Sequence, residues 1–94
     1  MDARADANDS IRIDKWLWQA RFCKTRTLAQ TLATAGHIRL NGRRVVKPGT
    51  NIRAGDVMTL ASKGRVVVLR VLALGERRGP AVEAQTLYEI IENA

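Results

Sequence analysis

The sequence predicts a single α+β domain in which two short helices lead and a run of short strands comes after them. Three observations carry that prediction. Apolar residues recur at helical spacing between Ile13 and Ala33, alternation with period two takes over at Ile38, and Asn41-Gly42 supplies a tight hairpin turn. A chain of 94 residues fits one domain with a small core.

Met1 to Ser10 is polar and lacks periodicity, so it is expected to be a flexible lead-in, with Ser10 or Asn8 available to cap the first helix. That helix is expected from Ile13 to Cys23. Ile13, Trp16, Leu17 and Ala20 fall at i, i+3, i+4 and i+7, the stripe of a helix with one buried face. Trp18 and Phe22 lie on the opposite side, where packing under the C-terminal segment is the expected role and stacking on nucleobases the alternative. Only Cys23 and Lys24 separate this helix from the next, which makes a compact helix-turn-helix pair. Thr25 is the expected N-cap of the second helix, Leu28, Ala29, Leu32 and Ala33 its buried stripe, and Gly36 its left-handed terminator.

Ile38 and Leu40 then alternate with Arg39 and Asn41, so the apolar pair faces in and the polar pair out. Both central positions of a type I′ turn need positive φ, which Asn41-Gly42 provides, and Val45-Val46 returns. Lys47-Pro48-Gly49 turns again. Strands are expected over Val57–Ala61 and Arg65–Leu74, joined by Lys63-Gly64. Pro80 suits the first position of a final helix, which Val82, Leu87, Ile90 and Ile91 would dock on the body beside Tyr88. These readings divide the chain into a lead-in over 1–10, a main domain over 11–75, and a loop with a docked helix over 76–94.

Charge is the feature that points to function. Sixteen Lys and Arg against nine Asp and Glu give +7 and a pI near 10.8. From Ser10 to Thr50, nine cations stand against Asp14 alone, whereas from Asn51 onward six cations meet five acids. A field of one sign concentrated in half a chain draws in polyanions. Arg12, Lys15 and Arg21 avoid the buried stripe of the first helix. Lys24, Thr25 and Arg26 open the second, where free backbone N–H groups already favour phosphate. Arg39 and Asn41 point outward from the strand, and Arg43, Arg44 and Lys47 extend the surface past the turn at Gly42. Arginine suits such a surface because its planar fork holds two phosphate oxygens at once.

Other classes find less support. No apolar run approaches the roughly 18 residues that span a bilayer, and the acidic start MDARADANDS lacks the order of a signal peptide, so no membrane role is expected. Cys23 alone closes no internal disulfide, which suits the cytoplasm. With one histidine, His37, and one cysteine, the usual metal ligand set cannot be assembled, and no glycine-rich phosphate loop occurs. Cys23 and His37 are expected to be packing residues at helix ends. A non-catalytic protein without cofactor or metal is the expectation.

The same residues carry a family resemblance. The run R-I-D-K-W-L-W from Arg12, then K-T-R from Lys24, then G-H-I-R-L-N-G to Gly42 and the later Gly55-Asp56 resemble the S4-type RNA-binding domain, the αL module. The K-W-L-W and K-T-R runs, with E-R-R-G-P-A…L-Y-E from Glu76 to Glu89, are similar to the heat shock protein 15 family. The resemblance implies two N-terminal helices packed on a small, mostly antiparallel, strongly bent sheet, with a short C-terminal helix. It also implies a stand-alone, stress-linked binder of structured ribosomal RNA on free large ribosomal subunits that carry a stalled nascent chain-tRNA, helping to return them to use. The family's RNA-facing positions fall on Arg12, Lys15, Lys24, Thr25, Arg26, Asn41 and Gly42. Charge and facing add Arg21, Gln30, Arg39, Arg43, Arg44 and Lys47.

This chain departs from the family's pattern in two places. Longer members run into a basic C-terminal tail, where this sequence has Glu89 and Glu92, and Gly79 separates Arg78 from Pro80 where R-R-P is commoner. Two other readings compete. A DNA-binding helix-turn-helix would read bases with Thr27, Gln30, Thr31 and Thr34, although no surface for the usual dimer is evident, so any DNA binding is expected to be weak and the protein a monomer. A binding module working beside an RNA-modifying enzyme is the other.

Overall fold

The computed structural model describes residues 9–62 and 64–93. Strand β1 (Ile11–Arg12) leads directly into helix α1 (Ile13–Gln19), and helix α2 (Arg26–Thr34) follows. Five short strands come next: β2 (Ile38–Leu40), β3 (Arg43–Arg44), β4 (Asn51–Ile52), β5 (Val57–Ser62) and β6 (Arg65–Val71). The chain closes with helix α3 (Ala81–Ala84), a 3₁₀ turn over Gln85–Leu87, and strand β7 (Tyr88–Asn93). The main sheet is antiparallel with order β3-β2-β5-β6-β7, while β1 pairs with β4 as a separate ribbon. This is the α+β arrangement expected, two helices against a small antiparallel sheet.

The core lies between α1 and the sheet. Ile13, Trp16, Leu17 and Ala20 are buried as their spacing predicts, and they meet Ile38, Met58, Leu69 and Val71 from the strands. The Trp16 indole N–H is satisfied by the Ala73 carbonyl at 2.9 Å, so the largest core side chain leaves no donor stranded. Helix α2 contributes Ala29 and Ala33, and their small size lets it sit close to α1.

Local chemistry explains the helix ends. Thr25 caps α2 as expected, its hydroxyl accepting from the Leu28 N–H at 3.1 Å, and Gly36 follows the helix at φ +83°. Helix α1 is capped differently. Arg12, not Ser10, holds the N-cap position and makes no side-chain cap; the Thr50 and Pro48 carbonyls instead accept from the Ile13 and Asp14 N–H groups at 2.8 and 3.3 Å. The Asn8 alternative and the lead-in over residues 1–8 lie outside the described residues, as does Lys63.

Several expectations are corrected. Helix α1 stops at Gln19, because Arg21 takes φ 65° and the chain turns before Cys23. Leu28 is 48% exposed and Leu32 only half-buried, so the buried stripe of α2 narrows to its alanines. His37 is exposed, unlike buried Cys23. The returning hairpin strand is Arg43–Arg44, although Val45 still bonds the Ile38 carbonyl through its N–H. The C-terminal helix is present but is one turn long. Residues 88–93, expected to continue it, form β7 and pair along β6, with a register break at Val68/Leu69. The adjacent β-branched Ile90 and Ile91 favour that extended form once an open sheet edge is beside them.

Phe22 and Trp18 are also placed. Phe22 lies 4.6 Å from the Tyr88 ring and 6.0 Å from Trp16, which confirms packing under the C-terminal segment. Trp18 is half-buried beneath the Arg78 guanidinium, 5.7 Å from its ring centre.

Candidate nucleic-acid interface

Asp14 is the only acid between Ser10 and Thr50, and its side chain is fully buried. A lone buried carboxylate is costly unless charged and polar partners surround it. Here they do. Arg12 donates through Nε and Nη2 at 3.2 and 3.1 Å, and Gln30 through Nε2 at 3.1 Å. Arg26 approaches from α2, its Nη2 at 3.5 Å from one oxygen and its Nε at 3.4 Å from the other. The Lys15 backbone N–H adds a bond at 2.8 Å. The Nε contact of Arg26 is an ion pair without hydrogen-bond alignment, so that nitrogen has no hydrogen-bond partner among the described residues.

Burial by itself pushes the Asp14 carboxyl pKa up. The hydrogen bonds from Arg12, Gln30 and Arg26, with the charge of Arg26, outweigh it and hold the group below the usual carboxylate range. Asp14 therefore remains ionised and fixes two guanidinium groups, one from the start of α1 and one from α2. Both arginines stay about half exposed, at 50% and 42%, so each is anchored at one side and open at the other. Sequence reasoning missed this role. The signal was available in one acid standing among nine cations.

The hairpin carries the second part of the surface. Arg39 on β2 stands directly opposite Arg44 on β3, and both are exposed. Like charges directly across a ladder destabilise a sheet, so a repulsive pair held here suits an anionic partner. The Arg44 guanidinium lies where a Cβ on Gly36 would stand, at the C-terminal end of α2 whose carbonyls attract a cation. Arg43 and Lys47 are both exposed and line an open groove of about 580 Å³ with Leu40, Asn41 and Val46.

Asn41 and Gly42 form the turn at φ 52° and 84°. The Asn41 side chain is engaged internally: Nδ2 donates to Asp56 at 3.1 Å and Oδ1 accepts from the Val57 N–H at 2.9 Å. Asp56 in turn accepts from the Arg53 N–H at 2.8 Å. The spacing between N-G and G-D in the sequence is thus a clip joining the hairpin turn to the start of β5. Asn41 shapes the surface, and its exposed turn backbone is the part open to a partner.

The two parts meet at the turn before β4. Arg12 packs against Gly49, where a Cβ would lie 3.4 Å from its guanidinium carbon, and Lys47 belongs to the same turn through bonds from Thr50. Lys24 and Thr25 are exposed at the start of α2, adjacent in sequence to the anchored Arg26. Lys15 faces a separate groove of about 640 Å³ between Ile11 and the segment Leu72–Glu76. Of the expected residues, Arg12, Arg26 and Gln30 gather their side chains around Asp14, to which Lys15 adds only its backbone N–H, and Arg39, Arg43, Arg44 and Lys47 gather on the hairpin. Arg21 joins neither group, since its Nε donates to the Gly79 carbonyl at 2.6 Å and ties it to the C-terminal loop.

Helix α2 is poorly equipped to read DNA bases. Thr31 and Thr34 donate their hydroxyls back to the Thr27 and Gln30 carbonyls at 3.1 and 3.0 Å, and the Gln30 amide is spent on Asp14. Cys23 is equally unsuited to act as a nucleophile, because burial raises its thiol pKa. No described helix is long and apolar enough to cross a membrane.

Comparison with known proteins identifies the domain. Residues 11–58 match the S4 domain family. The chain is 41% identical over 88 residues to a heat shock protein 15 homolog of Aeromonas salmonicida, covering 94% of this chain and 66% of that protein's length. It is 34% identical to the RQC P-site tRNA stabilizing factor of Listeria monocytogenes, over 88% of each chain. The solved trimeric heat shock protein 15 of Vibrio cholerae superposes with a TM-score of 0.81 at 36% identity, covering 87% of this chain and 82% of that one. In sequence and fold, this chain belongs to the S4 domain family and resembles heat shock protein 15 within it.

Proposed function

We propose that this protein is a non-catalytic RNA-binding protein that grips structured ribosomal RNA on free large ribosomal subunits carrying a stalled nascent chain-tRNA, and aids their rescue. The observation that carries the reading is the Asp14 cluster, in which one buried carboxylate holds Arg12 and Arg26 facing outward from the two helices. A-form RNA hides its base edges in a deep, narrow groove, so recognition falls to backbone shape and unpaired bases. Guanidinium groups fixed on a rigid support suit that task better than flexible lysines. The Listeria relative is named for stabilising a P-site tRNA, which supports a place near tRNA on the ribosome. A protein acting on ribosomes in this way works in the cytoplasm.

Gradient sedimentation of the tagged protein from a cell lysate tests this reading. Co-migration with free large subunits is the expected result; a peak confined to the soluble fractions contradicts it. The Vibrio relative is trimeric, so light scattering on the free protein decides whether the monomer expected from sequence is its solution state. A gel-shift comparison of ribosomal RNA with duplex DNA separates the helix-turn-helix alternative. An assay for modified nucleotides in ribosomal RNA treated with the protein separates the enzyme-associated one.

A further inference from the structure

The E-R-R-G-P run from Glu76 to Pro80 takes no part in the Asp14 cluster or the hairpin surface, yet it is tied to the end of α1. Two crossed hydrogen bonds hold it. Arg21 donates from Nε to the Gly79 carbonyl at 2.6 Å, and Arg78 donates from Nε to the Trp18 carbonyl at 3.1 Å. The Trp18 carbonyl also accepts from the Arg21 backbone N–H at 3.2 Å, so both arginines are anchored on one oxygen atom.

Arg21 is an unusual residue for its place. It takes φ 65°, a left-handed conformation that glycine or asparagine adopts at lower cost. A turn alone does not ask for arginine there. Strain of this kind persists where the surroundings hold it, and it gathers at functional sites. Arg21 is exposed all the same, and its side-chain bond to Gly79 engages only Nε. Arg78 is fixed on a second side, its guanidinium carbon lying over the Trp18 ring at 5.7 Å from the ring centre. A guanidinium laid on an aromatic face and tied through Nε still presents its two terminal nitrogens side by side, in the spacing that fits two phosphate oxygens.

The local charge is unbalanced. Glu83 lies against Gly79, but its carboxylate is engaged by Arg77 at 2.9 Å, and the exposed Glu76 pairs with neither Arg21 nor Arg78. Those two arginines have no ion pair among the described residues, whereas Arg12 and Arg26 share Asp14. Backbone carbonyls orient them in place of an acid. Helix α1 is roughly 10 Å long, with Asp14 in its first turn and Arg21 just past its end, so one phosphate cannot reach both places. The exposed Lys24 stands in the chain between Arg21 and Arg26. Arg78 lies beyond residues 11–58, the part that matches the S4 domain, so the pairing is an addition to the shared domain.

We propose that Arg21 and Arg78 form a second phosphate-binding site at the C-terminal end of α1, which takes the RNA backbone beyond the stretch held by the Asp14 cluster. The inference rests on the RNA-binding reading. Two fixed grips at the two ends of one short helix select RNA by the path of its backbone, which is how structured RNA is told apart. The C-terminal loop then does more than close the fold. It supplies Arg78 and holds Arg21 in its left-handed turn, so that both guanidinium groups are set before RNA arrives.

The test measures the affinity of the whole protein for a folded ribosomal RNA fragment across a series of salt concentrations. Arg21→Gly removes a guanidinium where glycine suits the backbone, so the thermal midpoint is expected to stay within roughly 5 °C of wild type. Its salt slope is expected to fall by about one or less, with a loss of affinity of roughly three- to tenfold at fixed salt. Arg78→Ala is expected to lose a similar slope, and the double variant more than either. In ¹⁵N–¹H spectra of the wild type, the Nε–H signals of Arg21 and Arg78 are expected to shift when the RNA is added. Full slope and affinity in both variants, with those signals unmoved while Arg26→Ala still weakens binding, overturns the proposal. The two arginines then serve only to dock the loop, and the RNA-binding reading stands. Failure of the wild type to bind the RNA at any salt concentration overturns the RNA-binding reading itself.

Discussion

Asp14 on α1 accepts a hydrogen bond at 3.1 Å from Gln30 on α2, and the same carboxylate holds Arg26 from that helix and Arg12 from the start of its own. An acid at the centre of a cationic surface lowers its net charge. It also decides where the cations point.

Asp14→Asn separates these two effects. The substitution raises the net charge by one, so a surface acting through charge alone would bind RNA more tightly. Loss of the ionised anchor frees both guanidinium groups, and the expected result is a loss of affinity for structured RNA of roughly three- to tenfold. Anisotropy titration at fixed salt reads the sign. Tighter binding by the variant would show that Asp14 does not position the site.

The same carboxylate predicts an acid limit to stability. Its folded pKa lies below the ordinary value, so the folded state binds its proton less readily than the unfolded state does. The contribution is therefore complete above about pH 4 and is lost as pH falls through the depressed folded value. Thermal midpoints of the wild type and Asp14→Asn, compared from pH 7 to pH 3, are expected to converge at the acid end. A gap that stays constant with pH would rule out this linkage.

The Asn41 clip gives a stability prediction of a different kind. Asn41→Ala removes the bonds to Asp56 and to the Val57 N–H and places a Cβ residue without local hydrogen bonds at φ 52°. The expected cost is about 2 kcal/mol, roughly 10 °C in thermal midpoint for a domain of this size. Asn41→Gly keeps the turn comfortable and loses only the bonds, so it is expected to cost about half as much. Equal losses in the two variants would mean that the backbone conformation contributes nothing.

Lys24 is an exposed cation at the start of α2, with no ion pair among the described residues. Lys24→Ala is expected to leave stability within about 0.5 kcal/mol of wild type and to reduce the salt slope of RNA binding by about one or less. Arg26→Ala is expected to weaken RNA binding broadly and flatten the slope by a similar amount, while also destabilising the Asp14 cluster. An unchanged slope in either variant would remove that residue from the phosphate contacts.

Features whose physics is local were legible in the sequence. Thr25 capping α2, Gly36 closing it and Asn41-Gly42 turning the hairpin all depend on a few neighbouring residues, and all are found where the sequence puts them. Features set by distant partners were not. Helix α1 ends at Gln19 without a glycine or proline, in a turn where Arg21 is tied to a carbonyl 58 residues away. Val82, Leu87, Ile90 and Ile91 suit a helix by spacing, but β6 offers an open edge and residues 88–93 take it. The cations of the candidate surface could be counted from the sequence, whereas the anchoring of Arg12 and Arg26 by one buried acid needed the packing of α1 against α2.

The most direct measurement of RNA recognition is the affinity for a folded ribosomal RNA fragment, and for duplex DNA of matched length, across a series of salt concentrations. RNA should bind more tightly at every salt concentration, with a steep salt slope that Arg26→Ala reduces by about one or less. Equal affinity for the RNA and for DNA of random sequence would contradict recognition of structured RNA.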